Sequence, residues 1–423
     1  MTTNSRSLRS LTTALSSAWT ALSGDLRRLI LIGFVEITAV NFYASLLMPY
    51  YRSLGYGSEV AGALTSVLQV VGALVAVGAG FMADNLGRKK LYVAGQLFRC
   101  AAVGLLMVTR SYAGLVLISA VRGLASVQTP AQSAIFASHT RRENRATLYG
   151  LYQTAAQAAS VVAPLLAGFL ADRFGVMASF GTGLLLACVA VAIAVPLRDG
   201  TQVEPAAKEA ESVTPVVEII APPARETVGK RISRMFKENR PVTLSALLAS
   251  SLTNGLANGA TNILLPFMIM DRFSSAYATV SASQAVGAMG TMLVLLIGGR
   301  IADLRGRRGV VLVSGAIFPL LMVGIFAVNA LWQLLAILFL ITMAGNISSP
   351  AVSAVYMEAV GDKDRATFAG LQMSLQNTGM ALGSIAAGIG YKFSSFWSWV
   401  AVIILFSLQL PLYALAIPRE RGK

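Results

Sequence analysis

Three charged residues lie inside long apolar stretches, where burying a charge is costly. Glu36 is the only acidic residue well inside such a stretch, and Arg99 and Arg122 lie inside two others. An isolated carboxylate in an apolar environment should often be protonated, because burial penalises its charged form. Such a group can be neutral in one conformation and charged in another, so we predict that Glu36 carries a proton and that Arg122 tunes it. The alternative is a structural ion pair of Glu36 with Arg99 or Arg122.

The elements that hold these residues are predicted to be membrane-spanning helices. Only 13% of the 423 residues are charged and 55% are hydrophobic, whereas a soluble domain carries roughly 25% charged residues. An apolar run of about 20 residues crosses the hydrocarbon core as a helix, and such runs alternate here with short charged clusters. We predict twelve spans, near residues 29–50, 59–83, 91–109, 113–138, 146–170, 177–197, 241–270, 275–301, 309–329, 331–357, 366–390 and 393–417.

Composition and motifs argue against several function classes. The net charge of +15 does not indicate nucleic-acid binding, because the basic residues are distributed among the loops rather than on one soluble face. Cys100 and Cys188 both lie inside apolar runs, which gives a disulfide framework or a metal site little support. The single histidine, His139, cannot supply a His-based metal site or a Ser/His triad, and no phosphate-binding G-x-x-x-x-G-K loop occurs. We therefore expect no cofactor, no metal and no enzymatic activity.

The basic residues also predict the orientation of the chain. With the N-terminus inside the cell, the basic residues of the outer loops would be only Arg52, Arg110, Arg173, Arg272 and Lys392. Cytoplasmic loops of membrane proteins are enriched in Lys and Arg. We therefore predict a multi-pass protein of the plasma (inner) membrane with both termini cytoplasmic.

The chain divides into five predicted segments. Residues 1–28 place Leu and Trp at helical spacing among Ser, Thr and Arg, which favours a cytoplasmic amphipathic helix, with a transit peptide as the alternative. Residues 29–197 and 241–418 are predicted to form two bundles of six spans. The linker 198–240 begins with a Pro-, Ala- and Glu-rich stretch that we expect to lack fixed structure. It ends with the basic amphipathic sequence KRISRMFK, which suits an anionic membrane surface, and 419–423 form a cytoplasmic tail.

The two bundles are related by an internal repeat. Pro130-Ala131 and Arg145-Ala146-Thr147 recur as Pro350-Ala351 and Arg365-Ala366-Thr367 at one constant spacing. Parallel repeats of six spans predict two bundles related by an axis along the membrane normal, with the binding site between them.

A loop motif occurs once in each bundle. The stretch from Gly80 to Lys89 reads GFMADNLGRK and the stretch from Gly299 to Arg308 reads GRIADLRGRR, so both match G-x-x-x-D-x-x-G-R-[KR]. This paired motif closely resembles the cytoplasmic loop motif of the major facilitator superfamily. The resemblance covers essentially the whole chain outside the linker and the N-terminal segment. It implies an all-α membrane protein with twelve transmembrane helices in two six-helix bundles, the major facilitator fold.

In that family, such loops hold the cytoplasmic side closed and release it when the cavity opens inward. The resemblance therefore implies gating roles for the acidic, glycine and arginine positions of both copies. These positions are Asp84, Gly87, Arg88, Asp303, Gly306 and Arg307. The alternative reading is simple topological anchoring by the positive residues.

Two further patterns are similar to motifs of the family's drug:proton antiporters. Arg122-Gly123 in the fourth span resembles their Arg-Gly motif, whereas the sequence APLLAG from Ala163 to Gly168 matches their G-P-x-x-G-G only in weakened form. Third spans are usually peripheral in the family, so the resemblance favours a structural or snorkelling role for Arg99.

Polar side chains at helical spacing mark the candidate solute contacts. Such stripes in membrane helices normally face a water-filled cavity, although they also serve as hydrogen-bonding contacts between helices. The predicted substrate contacts are Asn41, Tyr43, Ser126, Gln153, Gln157, Asn254, Asn258, Asn346, Gln372 and Gln376.

The resemblance implies a secondary transporter that works by alternating access as a monomer. Its expected partners are a small-molecule substrate, protons and the lipid bilayer, with no nucleic acid. We expect proton-coupled export of a small amphipathic organic compound. One alternative is proton-coupled uptake of a sugar or organic anion, with Arg122 or Arg99 as counter-charge. The other is a non-transporting sensor, which the gate motif in both halves disfavours.

The predicted orientation can be tested by cysteine labelling. In a background without Cys100 and Cys188, we expect Glu211→Cys in the linker to react with a membrane-impermeant thiol reagent only after cells are permeabilised. Ser53→Cys, in the first outer loop, should react in intact cells. The reverse pattern of labelling would invert the orientation.

Overall fold

The protein is an all-helical bundle, as predicted. The computed structural model describes residues 24–139, 145–196, 228–238, 240–305, 307–361 and 364–417. These residues form two successive sets of six helical spans, which confirms the predicted fold class. The predicted N-terminal amphipathic helix before residue 24, the first part of the linker and the C-terminal tail lie outside the described residues.

The first set contains spans one to six. The second, third, fifth and sixth spans are single helices. The first and fourth spans are interrupted by turns. Their bounds are Gly24–Ala44 with Leu47–Ser53 for the first span, Ser58–Leu86, Arg88–Val108, then Tyr112–Leu124, the 3-10 turn Ala125–Val127 and Gln128–His139 for the fourth, Arg145–Phe174 and Val176–Ala194.

The second set contains spans seven to twelve, preceded by a short linker helix, Val228–Glu238. The bounds are Pro241–Arg272, Tyr277–Arg305, Arg307–Val323 with the 3-10 turn Gly324–Ala327, Leu331–Asn346 with Ser349–Glu358, Arg365–Phe393, and Ser395–Ser407 with Gln409–Ala416. Within the described residues, eight helical stretches are long and apolar enough to cross a membrane. The fourth, seventh, eighth and eleventh spans are not among these eight. The seventh and eleventh spans both carry Asn, Ser and Gly in their middle, which lowers their hydropathy.

The linker helix is fastened to the second bundle at the end that the sequence predicts to be cytoplasmic. Met235 is fully buried in a cluster with Leu244 and Phe368. On the same helix, Nη2 of Arg234 lies 3.2 Å from Oδ1 of Asp364, a buried acid at the start of the eleventh span. The basic amphipathic stretch therefore packs its apolar side onto the protein.

The two bundles contact each other mainly through two pairs of spans, the second with the eleventh and the fifth with the eighth. Ser58 donates its hydroxyl to the carbonyl of Gly388 at 2.8 Å, and Ser66 donates to the carbonyl of Ala381. Gly62 and Gly388 have no side chain, which lets the two backbones approach each other. These contacts bring the spans together without any charged group.

Polar contacts continue to the end that the sequence predicts to be extracellular. Nη1 of Arg52 lies 2.5 Å from Oδ1 of Asp271, and the hydroxyl of Tyr391 donates to Oδ2 of Asp271 at 2.6 Å. Asp172 accepts hydrogen bonds from the backbone amides of Tyr277 and Ala278, both at 2.9 Å, and so caps the eighth span from the opposite bundle. The bundles are therefore joined at this predicted outer end.

The close approach of the second and eleventh spans predicts the effect of added bulk. A Cβ at Gly62 would overlap the backbone carbonyl of Ser384, which cannot rotate away. We expect Gly62→Val to separate the outer ends of the bundles, because overpacking of this kind costs about 1–3 kcal/mol. The measurement is the distance between spin labels at Arg110 and Phe393, two exposed residues at the outer ends of opposite bundles.

The matched control is Gly104→Val in the third span, where an added Cβ meets nothing within 4 Å. The control should leave the label distance unchanged. A folded Gly62→Val protein with the wild-type distance would contradict the role of this contact.

Candidate functional site

Glu36 is buried at the centre of a polar cluster in the first bundle. Only 5% of the surface of Glu36 is exposed. Oε1 lies 2.6 Å from Nη1 of Arg99 and also accepts from the amide of Gln128. Oε2 accepts from the amide of Gln96 at 2.7 Å and from the hydroxyl of Tyr92 at 3.2 Å. The carboxylate is therefore surrounded by donors, and it is not the isolated acid that the sequence suggested.

Helical spacing explains how three of these donors meet one acid. Tyr92, Gln96 and Arg99 lie four and three residues apart on the third span, so they share one face. Gln128 begins the inner helix of the fourth span, directly after its 3-10 turn. Gly95 lies between these donors, and the absence of its side chain lets the third span approach Gln128.

Arg122 lies apart from the carboxylate, although the sequence offered both arginines as partners. Its guanidinium carbon is 5.5 Å from the centroid of the Tyr43 ring, a cation–π arrangement. Tyr43 is buried and lies two turns along the first span from Glu36. The structure thus gives Arg99 the ion pair and gives Arg122 an aromatic neighbour. Because Arg99 pairs inside the bundle, it does not snorkel to the membrane surface.

Each of the two amides of the cluster has one side-chain oxygen that accepts no hydrogen bond within the described part of the protein. The Oε1 atoms of Gln96 and Gln128 are buried and have no hydrogen-bond partner among the described residues. A side-chain amide carries a donor at one end and an acceptor at the other. Turning either amide would present an acceptor to a protonated Glu36. The cluster can therefore hold hydrogen bonds to either protonation state of this acid.

A cavity of about 620 Å³ lies in the second bundle, between the seventh, ninth, tenth, eleventh and twelfth spans. Its walls include five residues that the sequence analysis predicted as substrate contacts. These are Asn254, Asn258, Asn346, Gln372 and Gln376. The polar stripes of three different spans therefore face one space, and their role in solute binding stays a prediction.

The cavity walls are organised by hydrogen bonds between amides. Nδ2 of Asn258 donates to Oδ1 of Asn254 at 2.8 Å, and Nδ2 of Asn254 donates to Oε1 of Gln409 at 3.4 Å. Tyr356 and Ser251 share a further hydrogen bond at 2.7 Å. The sequence analysis missed Gln409, although its signal was present: it is an amide within the apolar run of the twelfth span.

The predicted contacts from the first bundle do not line this cavity. Asn41 donates to the carbonyl of Ile37 at 2.8 Å, and Ser126 donates to that of Gly123 at 2.6 Å, so both bond to their own helices. Tyr43 lies beneath Arg122. Gln153 and Gln157 are half-buried on the fifth span. The binding roles of these five residues stay predictions.

Of the predicted gate residues, Gly87 is the one whose whole conformation the structure describes. This residue separates the second and third spans with a φ of 87°, a left-handed conformation that glycine adopts without strain. The side chains of Asp84, Arg88, Asp303 and Arg307, together with Gly306, lie outside the described residues. Over the described part of the chain, no three of the His, Cys, Asp and Glu side chains cluster as metal ligands would.

Curated relatives of the chain carry names that refer to multidrug resistance or to drug efflux. It is 21% identical over 380 residues to the multidrug resistance protein MdtG of Serratia proteamaculans, covering 86% of this chain and 88% of that protein. It is 25% identical over 163 residues to the multi-drug resistance efflux pump PmrA of Streptococcus pneumoniae, covering 37% of this chain and 41% of the pump. These identities are low, so the names guide a proposal rather than assign a substrate.

Solved structures share the fold. The nucleoside transporter NupG superposes with a TM-score of 0.70 at 15% identity, over 93% of this chain and 99% of that one. A peptide transporter named POT, in complex with sulfate, superposes with a TM-score of 0.72 at 15% identity, over 93% and 94% of the two chains. At such identities the likeness concerns the fold alone.

The family itself follows from the sequence match. The model of the Major Facilitator Superfamily matches residues 29–294 and 247–423, which together span both bundles. This agrees with the paired loop motif, the internal repeat and the two sets of six spans. The chain belongs to the Major Facilitator Superfamily.

Proposed function

We propose that this protein is a secondary active transporter that couples proton movement to the export of a small amphipathic organic compound. The observation that carries the proposal is the amide-lined cavity inside the spanning helices. Its volume of about 620 Å³ lies within the range of roughly 300–1,000 Å³ that is usual for small-molecule sites. Its walls combine amides and hydroxyls with aromatic rings, which suits an amphipathic solute.

Alternating access is the proposed mechanism, and the predicted outer interface supports it. The bundles are joined there by hydroxyl-to-carbonyl hydrogen bonds and by ion pairs such as Arg52–Asp271, whose side chains are each 39% exposed. Exposed ion pairs contribute only about 0–1 kcal/mol each. Each of these polar contacts is therefore weak enough to break when the outer end opens.

The Glu36 cluster supports proton coupling. Removing either charge from a buried ion pair leaves the other uncompensated. Protonation of Glu36 would thus release Arg99 from its partner and turn the carboxyl group into a donor. The unpaired Oε1 atoms of Gln96 and Gln128 could accept that proton's hydrogen bond. In this scheme Glu36 carries the proton, Arg99 is its counter-charge, and Arg122 acts on the site from beside Tyr43.

We further propose a direction of transport, a membrane location and an oligomeric state for the protein. The multidrug resistance protein and the efflux pump among its relatives support export of drug-like compounds. A protein of this type would work as a monomer in the plasma (inner) membrane, with both termini in the cytoplasm. Its solute contacts would be Asn254, Asn258, Asn346, Gln372 and Gln376, together with polar residues of the first bundle.

Proton-coupled uptake of a sugar or organic anion is the second candidate. One contact favours it: Arg122 stacks on Tyr43 rather than on a carboxylate in the described contacts. Its positive charge is therefore available to an anionic solute. Inward transport of anions that depends on Arg122 would favour this candidate.

The role of Glu36 can be tested in proteoliposomes with an imposed pH gradient. We expect Glu36→Gln to abolish gradient-driven transport while passive exchange of solute persists, because the site is then permanently neutral. Glu238→Gln is the matched control, since Glu238 lies on the linker helix outside the spans and its side chain is 61% exposed. The control should retain gradient-driven transport.

The ion pair with Arg99 makes the stability of this variant a separate measurement. Breaking a buried pair costs about 3–5 kcal/mol, so Glu36→Gln should lower the melting temperature under either reading. A variant that stays folded and exchanges solute but has lost pH coupling supports proton carriage, whereas a variant that also loses passive exchange supports a purely structural pair. A stable variant with full gradient-driven transport rules out both roles.

The proposed cytoplasmic gate rests on the paired loop motif. We expect Asp84→Asn to lower transport severely while the protein remains folded and inserted, because the proposed gate requires this carboxylate to pair with basic residues. Thiol labelling of the cavity from the cytoplasmic side should increase in this variant. Asp303→Asn is the internal comparison and should have a smaller effect. Unchanged transport together with unchanged labelling would refute the gate.

A further inference from the structure

The cavity of the second bundle is lined without a formal charge. The described residues of its wall are amides, hydroxyl-bearing, small, apolar and aromatic residues, and none of these is Asp, Glu, Lys, Arg or His. A cation that leaves water needs a compensating charge, because burying an unpaired ion is costly. The buried carboxylate of the first bundle, Glu36, is already paired with Arg99 at 2.6 Å. The surroundings of this cavity therefore disfavour organic cations.

The amides of the wall form a chain with one direction. Asn258 donates to the side-chain oxygen of Asn254, and Asn254 donates to the side-chain oxygen of Gln409. Each of these two oxygens is thus occupied by the preceding amide. The chain ends on Nε2 of Gln409, which is buried and has no hydrogen-bond partner within the described part of the protein. Gln409 is only 9% exposed and lines the cavity.

The free group at the end of this chain is a donor. A buried donor without a partner is costly, and a ligand acceptor that reaches it recovers that free energy. Donation along a series of amides also polarises the last N–H group and strengthens its bond. The wall therefore selects a hydrogen-bond acceptor, such as a carbonyl or phosphoryl oxygen.

Aromatic rings form another part of the same wall. Phe318 and Phe406 lie edge to face, with their ring centroids 4.7 Å apart and their planes at 70°. Met380, from the eleventh span, also lines the cavity. Such surfaces favour an aromatic or aliphatic body beside the acceptor.

We propose that this cavity selects uncharged compounds that join an aromatic body to a strong hydrogen-bond acceptor, in preference to organic cations. The proposal rests on the proposed function, because it assumes that the cavity is the solute site. It adds the chemical class of the solute and names Gln409 as the residue that determines specificity.

Two probes of similar shape show the effect of charge on binding at nearly constant size. Triphenylphosphine oxide is uncharged and presents a phosphoryl acceptor, whereas methyltriphenylphosphonium carries a positive charge on the same three-ring frame. We would measure the binding of each to purified full-length protein in nanodiscs by equilibrium titration, with empty nanodiscs subtracted. We expect the oxide to bind on the order of tenfold more tightly than the phosphonium.

Variants of Gln409 test the source of this preference. Gln409→Leu removes the donor and should weaken oxide binding on the order of tenfold, the size expected for one buried hydrogen bond. Gln409→Glu introduces a charge and should reverse the preference toward the phosphonium. Gln69→Leu and Gln69→Glu are matched controls on the second span, away from the cavity wall, and should keep wild-type binding. Because a Gln409 variant could fail to fold, Asn254→Asp provides a second route to the reversal of charge preference.

Several results would overturn the proposal. One is a wild-type protein that binds the phosphonium as tightly as the oxide or more tightly, and another is a protein that binds neither probe. A folded Gln409→Leu variant with wild-type oxide binding would remove Gln409 from its role. Binding is measured here without a pH gradient, so a failure is separable from that of proton coupling. Gradient-driven transport of another solute would then keep the proposed function while refuting this solute class.

Discussion

Polar groups inside the hydrocarbon region must find partners within the protein, because lipid offers none. This constraint accounts for most of the polar geometry described above. Hydroxyl and amide side chains of the first span, such as Thr38 and Asn41, donate to carbonyls one turn back on their own helix. Glu36 satisfies the constraint by collecting donors from the third and fourth spans. Among the described residues, Oε1 of Gln96 and Gln128 and Nε2 of Gln409 do not satisfy it, and these three atoms lie at the two places to which we assign function. Other unsatisfied groups, such as the hydroxyl of Tyr50 and Nε1 of Trp399, lie elsewhere.

The two bundles satisfy this constraint in different ways, although their sequences are repeats of each other. The first bundle holds a charged pair at its centre, sealed by two amides and a phenol. The second holds no charge in its cavity wall and instead uses amides bonded in series. Proton handling and solute recognition are thus assigned to different bundles, so the proposed coupling requires a relative movement of the two. The interface between the second and eleventh spans is where such a movement would be transmitted.

Sequence alone predicted the spans, the repeat and the convergence of Asn254, Asn346 and Gln376 on one space. These features follow from composition and helical periodicity, which are properties of single helices. The partner of Glu36 could not be predicted in this way, because the choice between Arg99 and Arg122 depends on how the third and fourth spans rotate about their axes. Gln409 was missed for a related reason. It is a lone amide in an apolar helix, so it forms no polar stripe, and its role becomes apparent only from its hydrogen bond with Asn254 on the seventh span.

The contact between the second and eleventh spans has a consequence for sequence divergence. On the eleventh span the acceptors are the backbone carbonyls of Ala381 and Gly388, which every residue type possesses. Selection at these two positions therefore acts on volume and leaves chemical type free, whereas Ser58 and Ser66 must keep a hydroxyl. Related chains should vary among small residues on one side of the contact while conserving Ser or Thr on the other. An alignment that recorded only identity would overlook this interface, and one that recorded side-chain volume would reveal it.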